Sequence, residues 1–332
     1  MKGGFVTRVD ALECGYGDHD LRDALRSGSW VSVRRGVYAP RETYARLTPR
    51  ERHLLLLRTV LAEKGPGWFA THDSAVVAHE LGDYGLGTYE LDLTVAHVAR
   101  TGGATSRRTA SFQTHRAAVD PATTTNAAGL PSVEAARAVV ATMTKLSLDA
   151  ATVLASTWLA RQRRTARESG RSEEFDEEDA RARLRALLDD GGARPGTRVA
   201  RDAIDVADAR CESVGEVRFL VLCWEHGLPR PETQIEVAIP GGRAEVDFMW
   251  RNVGMIVEFD GMLKYEDDTG PEGRKAKDNV IAEKRRERAL RELGWHVVRV
   301  TWADLAPANR ERTAAYLRRE LERAAKMRAR QR

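Results

Sequence analysis

Two short runs near the C-terminus, Arg243-Ala-Glu-Val-Asp-Phe-Met-Trp250 and Gly254-Met-Ile-Val-Glu-Phe-Asp-Gly261, alternate apolar and acidic residues with a period of two. That period belongs to β-strands, whose successive side chains point to opposite faces. With Arg251 to Gly254 as the loop, the runs form a hairpin in which Glu245, Asp247, Glu258 and Asp260 share one face. Val246, Phe248, Val257 and Phe259 share the other. This register sets Asp247 opposite Glu258 and Glu245 opposite Asp260, a like-charge ladder that weakens a sheet unless a cation offsets it. A divalent metal is the natural cation for such a face.

A chain of 332 residues predicts two or three domains, and 42% apolar residues suffice for each to bury a core. No apolar run approaches the roughly 20 residues that cross a bilayer. Met1-Lys-Gly-Gly-Phe-Val-Thr-Arg lacks the apolar core of a signal peptide, so a cytoplasmic location without membrane contact is expected. Cys14, Cys211 and Cys223 are scattered and odd in number, which fits buried thiols better than disulfides or a zinc site. The formal charge is only +4, but nine Lys or Arg stand against three Glu between Arg310 and Arg332. That stretch reads as a basic terminal helix, suited to phosphate contact or simply to solvent.

Three regions differ in their grammar: an α/β multidomain chain with an N-terminal winged helix, a mixed α+β middle region and a C-terminal αβββαβ domain. In residues 1–48, a helix from Asp20 closes at Gly28 and two strands from Trp30 to Pro40 turn at Arg35-Gly36, the outline of a winged helix-turn-helix. Residues 49–170 combine a helix from Arg50 to Lys64, one from Asp73 to Leu81 capped by Asp73 or Ser74, strands at Tyr89–Ala96 and Ser111–Val119, and helices at Ser132–Val140 and Asp149–Arg167. His72, His79, His97 and His115 lie across this region without metal-ligand spacing and are expected to be satisfied or exposed side chains. The charged, Gly-rich stretch 171–197 reads as a linker. Residues 198–332 then run helix, helix, three strands, a polar loop, helix, strand and a last helix.

The order αβββαβ, Asp247 within Glu-Val-Asp-Phe, Glu258-Phe-Asp-Gly261, Glu283-Lys-Arg-Arg-Glu287 and Leu293-Gly-Trp-His-Val-Val-Arg-Val-Thr-Trp-Ala-Asp-Leu305 together resemble the very-short-patch-repair-like endonuclease domains. These belong to the PD-(D/E)xK superfamily, and the resemblance covers about residues 210 to 306. It implies a restriction-endonuclease-like fold in which strand carboxylates hold Mg²⁺ (or Mn²⁺) for phosphodiester hydrolysis. Asp247 matches the first metal ligand and Glu258 the second, and Glu216 matches an acidic residue used as a further ligand or water-orienting base. Asp260 stands where many members carry a lysine, so the sequence reads E-x-D in place of E-x-K. Lys264, just past the strand, and Lys284, on the next helix, are the candidate replacements. The loop Tyr265 to Arg274 is acidic and Gly-rich, and is expected either to close over the site or to be plain solvent loop.

Leu25-Arg-Ser-Gly-Ser-Trp-Val-Ser-Val-Arg-Arg-Gly-Val-Tyr-Ala39 resembles the winged-helix segment of AbiEi-type antitoxins, and Thr71 to Leu81 resembles the segment that follows it. That likeness implies DNA as a partner, with a toxin partner besides. Arg34 and Arg35 on the wing, and Arg22 and Arg26 on the preceding helix, are the candidate phosphate or groove contacts. Three functions stand open at this point. The first is a metal-dependent DNA endonuclease targeted by the winged helix, in phage defence or repair. The second is a DNA-binding regulator or antitoxin-like protein whose nuclease fold is inactive, and the third is an RNA-directed nuclease.

Overall fold

The computed structural model describes residues 5–81, 91–100, 102–103, 106–116, 123–192, 194–261 and 284–330. The chain is a mixed α/β protein with several sheets, divided into two compact units: residues 1–150 with 182–200, and residues 151–181 with 201–332.

The first unit opens with β1 (Val6–Thr7), α1 (Arg8–Glu13), α2 (Asp18–Arg26), β2 (Trp30–Arg34) and β3 (Val37–Pro40), whose strands form a sheet in the order β1-β3-β2. Thr7 and Asp10 close a reciprocal cap on α1, satisfying donors that the first helical turn leaves open. Arg8 grips Asp18 through Nε, 2.7 Å from Oδ1, and so ties the start of α1 to the start of α2. The turn at Arg35-Gly36 between β2 and β3 falls where the sequence places it. After α3 (Arg41–Arg46), α4 (Pro49–Lys64) begins behind a Thr48–Glu51 capping box with Pro49 in the first turn.

A six-stranded sheet follows, in the order β6-β7-β5-β4-β9-β8, built from β4 (Trp68–Ala70), β5 (Ala96–Arg100), β6 (Arg107–Arg108), β7 (Phe112–Thr114), β8 (Thr124–Ala127) and β9 (Leu130–Val133). The helix after β4, α5 (His72–Ala78), starts behind Thr71, not behind Asp73 or Ser74, which are buried inside it. Residues 91–95 are irregular and the strand occupies Ala96–Arg100, so the alternation in Leu91-Asp-Leu-Thr-Val reflects a packed approach to the sheet. The remainder of that expected strand lies outside the described residues. The expected helix from Ser132 begins later, as α6 (Ala135–Met143), because Ser132 and Val133 pair in β9. The next helix, α7 (Leu148–Glu168), runs as expected.

The stretch expected as a linker is mostly helix, α8 (Glu177–Asp190). Its composition is charged, yet Leu184 and Leu188 stand four residues apart on one face and are fully buried. Two such side chains anchor a helix that composition alone assigns to solvent. A turn and α9 (Thr197–Val206) come next.

In the second unit, α10 (Val214–Glu225) precedes β10 (Glu232–Ile239), β11 (Gly242–Trp250) and β12 (Met255–Asp260). A helix described at 284–292 (α11), β13 (His296–Thr301) and α12 (Arg310–Ala329) complete it. The sheet order is β10-β11-β12-β13, antiparallel except for the parallel pair β12 and β13, which the crossover through α11 makes available. Residues 251–254 form the hairpin turn, and the register Phe248↔Val257 is the one the sequence predicts. The sheet is covered on both sides. Phe219 of α10 stacks against Phe248 with ring centroids 4.5 Å apart, while Leu290 of α11 lies with Met249, Ile256 and Val297.

Gly215 sets how closely α10 approaches the sheet. A Cβ there would fall 2.0 Å from Cε1 of Phe259, and that ring is held edge-on by Trp302 with centroids 5.2 Å apart. Gly215→Ala is therefore expected to destabilise this unit by about 2 kcal/mol through overpacking, seen as a loss of about 4–8 °C in melting temperature. The second change Phe259→Leu should restore part of that loss in the same melt, and an unchanged melt for Gly215→Ala alone would show that the contact is slack.

Candidate functional site

The hairpin brings Asp247 and Glu258 together. The β11–β12 ladder ends at Phe248↔Val257, and beyond it the Asp247 carboxylate replaces a backbone acceptor: Phe259 N–H donates to Oδ2 at 2.7 Å. The Asp247 and Glu258 side chains approach each other closely enough to share a proton when one of the two is protonated. Glu258 is buried, 8% exposed, and Asp247 is half-buried. These are not solvent-facing acids of an edge hairpin.

Glu216 joins them from the first turn of α10. Ser213 Oγ donates to its Oε1 at 2.6 Å, and Glu212 N–H and Gln234 Nε2 each donate to its Oε2 at 2.9 Å. Gln234 Nε2 also lies 3.4 Å from Asp247 Oδ1, so one amide spans two carboxylates. Thr233↔Phe248 and Ile235↔Val246 place Gln234 across from Asp247, yet its φ is +48°, a left-handed conformation rare for a residue with a Cβ. Strained backbone of this kind concentrates at functional sites. Sequence reasoning missed Gln234, because nothing in Thr233-Gln-Ile-Glu-Val separates it from an ordinary outward-facing strand residue.

Burial raises the pKa of both Asp247 and Glu216 above the usual carboxylate range, against the pull of their hydrogen bonds. Among the described residues the nearest cation is Arg286 on α11, whose Nη2 lies 3.4 Å from Glu258 Oε1 and whose Nη1 donates to the Glu245 carbonyl. Its charge also favours the ionised form of Asp247. Lys284, two residues earlier, is exposed beside Glu287 and Arg288 on the outer side of α11. Lys264 lies outside the described residues, as do the loop after it, Lys275 and Lys277.

Asp260 has a cation of its own beside it. Arg299 Nη1 is 3.9 Å from its Oδ2, and Arg299 in turn holds Glu287 with Nη2 2.9 Å from Oε2. Glu245 is exposed and faces Glu236 of β10, so the expected like-charge ladder shortens to Asp247 and Glu258. Among the described residues no group of three His, Cys, Asp or Glu side chains is placed to hold a metal ion. Hard carboxylate oxygens nonetheless fit Mg²⁺, which commonly takes one or two carboxylates and keeps waters or phosphate oxygens for the rest. A metal here would rest on Asp247 and Glu258.

The N-terminal arginines divide by environment. The Arg34 side chain is 12% exposed: its Nε donates to Thr59 Oγ1 at 2.8 Å and its Nη1 meets Glu63 at 2.5 Å, which pins the wing to α4. Arg35, at the tip of the turn, is exposed. On α2, Arg22 donates to the Asp18 carbonyl at 3.0 Å and Arg26, its side chain 78% exposed, pairs with Asp23 at 3.3 Å. In α12, Arg310 pairs with Glu225 at 2.7 Å and Arg318 donates to the His226 carbonyl, so part of the basic surface docks that helix.

Among the described residues no helix is long and apolar enough to cross a membrane. Residues 1–41 match the family described as "Transcriptional regulator, AbiEi antitoxin". Two Mycobacterium tuberculosis proteins, from strains CDC 1551 and H37Rv and both carrying the name "Uncharacterized protein", are 32% identical over 148 residues. That alignment takes in 44% of this chain and 50% of each relative, so the chain spans about half the length of the curated relatives it matches. The N-terminal region is thus similar to that of antitoxin-type transcriptional regulators.

Proposed function

We propose that this protein is a metal-dependent DNA endonuclease whose N-terminal winged helix engages the duplex. The observation that carries the reading is the contact between Asp247 and Glu258 on adjacent strands of an αβββαβ unit, with Glu216 linked to them through Gln234. Nothing in the packing of a four-stranded sheet demands two carboxyl groups spanned by one amide with a third beside them, and burying them costs stability. DNA as the substrate is favoured by the N-terminal likeness to transcriptional regulators and by the exposed Arg35 and Arg26.

Mg²⁺ or Mn²⁺ bound by Asp247 and Glu258 would lower the pKa of water and neutralise charge gathering on the scissile phosphate. Gln234 fixes the rotamers of Glu216 and Asp247 by spanning them. Glu216, whose pKa burial raises, is the candidate base for the attacking water. Arg286 supplies the positive charge that E-x-K sites draw from a lysine, and its guanidinium suits a phosphate oxygen as well as a carboxylate.

Pure protein incubated with supercoiled plasmid and Mg²⁺ or Mn²⁺ should nick or linearise it, and Glu258→Ala or excess chelator should abolish the cutting. A second reading, a DNA-binding regulator of the AbiEi antitoxin type with an inactive nuclease-like domain, is favoured by the Arg286 guanidinium resting against Glu258 where a metal would sit. Duplex binding without cutting, at equal affinity in wild type and Glu258→Ala, would decide for that reading.

A further inference from the structure

Three histidines from separate segments of the first unit form one stack. His72 and His115 are face to face with ring centroids 3.7 Å apart, and His97 lies beside His115 with a 2.8 Å contact between Nδ1 and Nε2. Behind them, His97 Nε2 faces Asp73 Oδ2 at 3.6 Å, and Asp73 also takes Lys145 Nζ at 2.8 Å and the Asp92 N–H at 2.8 Å. Burial lowers His97 to about 4 and His115 to about 3, and pushes His72 down as well, so the rings are neutral at pH 7 and stack without repulsion. A metal does not explain the cluster: one ring nitrogen of His97 and one of His115 face each other, His72 Nδ1 meets Thr71 Oγ1, and no three donors among the described residues converge.

One end of the stack, His72, lines a cleft. His72, at a left-handed φ of +47°, opens onto a cavity of about 780 Å³ that is also lined by Arg116, Arg137, Arg194 and the turn residues Gly102 and Gly103. Arg137 is matched by Asp190 at 3.1 Å, the single acid on the lining among the described residues. Arg116 and Arg194 are exposed and make no ion pair among the described residues, and Arg194 is close enough to act electrostatically on His72. Surplus cations facing into a concave site describe a receptor for an anion. The volume lies in the range that holds small ligands, and neutral imidazole faces offer a surface for a flat ring.

We infer that this cleft binds a phosphorylated small molecule of the nucleoside diphosphate class, with Arg116 and Arg194 on the phosphates and the His72 end receiving the planar group. This site lies wholly within the first unit and is independent of the carboxylate site, so each stands or falls alone. The phosphates could equally come from free pyrophosphate, and the probes separate the two sources.

Full-length protein is titrated calorimetrically with ADP, pyrophosphate, adenosine and a short DNA duplex. ADP should bind, with pyrophosphate weaker and adenosine weaker still, and Arg194→Gln and Arg116→Gln should each reduce ADP affinity at least tenfold. Both residues are exposed, so the variants should melt as wild type does, and Arg194→Lys should keep most of the affinity. Pyrophosphate binding as tightly as ADP, with the same dependence on the arginines, supports the phosphate site with an inorganic source. Absence of ADP and pyrophosphate binding, equal binding of adenosine, or ADP affinity unchanged in both glutamine variants overturns the proposal. So does a pattern in which the substitutions weaken only the duplex, which would assign the arginines to nucleic acid.

Discussion

Asp247→Asn should abolish Mg²⁺-dependent plasmid nicking, by at least about 100-fold, while leaving the metal-free protein at pH 8 as stable as wild type or more so. The two halves of this result have one cause. Burial raises the Asp247 pKa in the folded protein, so the carboxylate is held there at a cost once ionised. For a group whose folded pKa is raised, the stability it contributes is complete below its unfolded value, about 3.9, and is lost as pH rises through the folded value. Glu216 shifts in the same direction. Without metal, wild type should therefore lose stability from about pH 4 upward relative to the Asn variant. The Asn Oδ1 can still accept the Phe259 N–H, so the strand ending is preserved. A metal reverses the ordering, because it binds the folded wild type and stabilises it by mass action. Melting curves of both proteins at pH 5 and pH 8, with and without millimolar Mg²⁺, read every arm. A wild-type melt indifferent to metal at pH 8, or nicking retained by Asp247→Asn, would remove the site.

The parts of the fold readable in the sequence are those where a short period and a short loop leave one solution. The β11–β12 register followed from acid and apolar residues alternating on either side of Arg251–Gly254. The parts that stayed hidden depend on distant partners. Arg286 is one of three consecutive cations, Lys284-Arg-Arg286, and only the pitch of α11 over β12 decides which of them meets Glu258. Gln234 depends on a left-handed backbone that Thr-Gln-Ile gives no sign of. Leu184 and Leu188 are too sparse in an acidic and arginine-rich stretch to outweigh its composition, yet two buried leucines suffice to fold it as helix. The histidine stack was invisible for the same reason: β5, the residue after β7 and the start of α5 meet only in the sheet. Arg34 shows the reverse error, since an Arg-Arg-Gly turn suggests two phosphate contacts while one guanidinium is turned inward to Thr59 and Glu63.

Arg286→Met should expose how this carboxylate site manages its own charge. In the metal-free protein it is expected to cost about 3 kcal/mol, the low end of the range for breaking a buried pair, because Arg286 keeps 28% of its side chain exposed. That is about 6–12 °C in the melting transition of the second unit. The loss arises from Glu258 and Asp247 remaining buried without the nearby cation, and methionine retains the aliphatic packing so that volume is not at issue. Mg²⁺ should then raise the melting temperature of Arg286→Met by more than it raises that of wild type, since the guanidinium and the metal draw on the same Glu258 oxygen. Nicking should fall even so, because the charge facing the phosphate is gone. This split, tighter metal with slower cutting, separates a cation that serves the reaction from one that merely neutralises an inert pair. In an inert domain Arg286→Met would lose stability, gain nothing from Mg²⁺, and leave duplex affinity where it was.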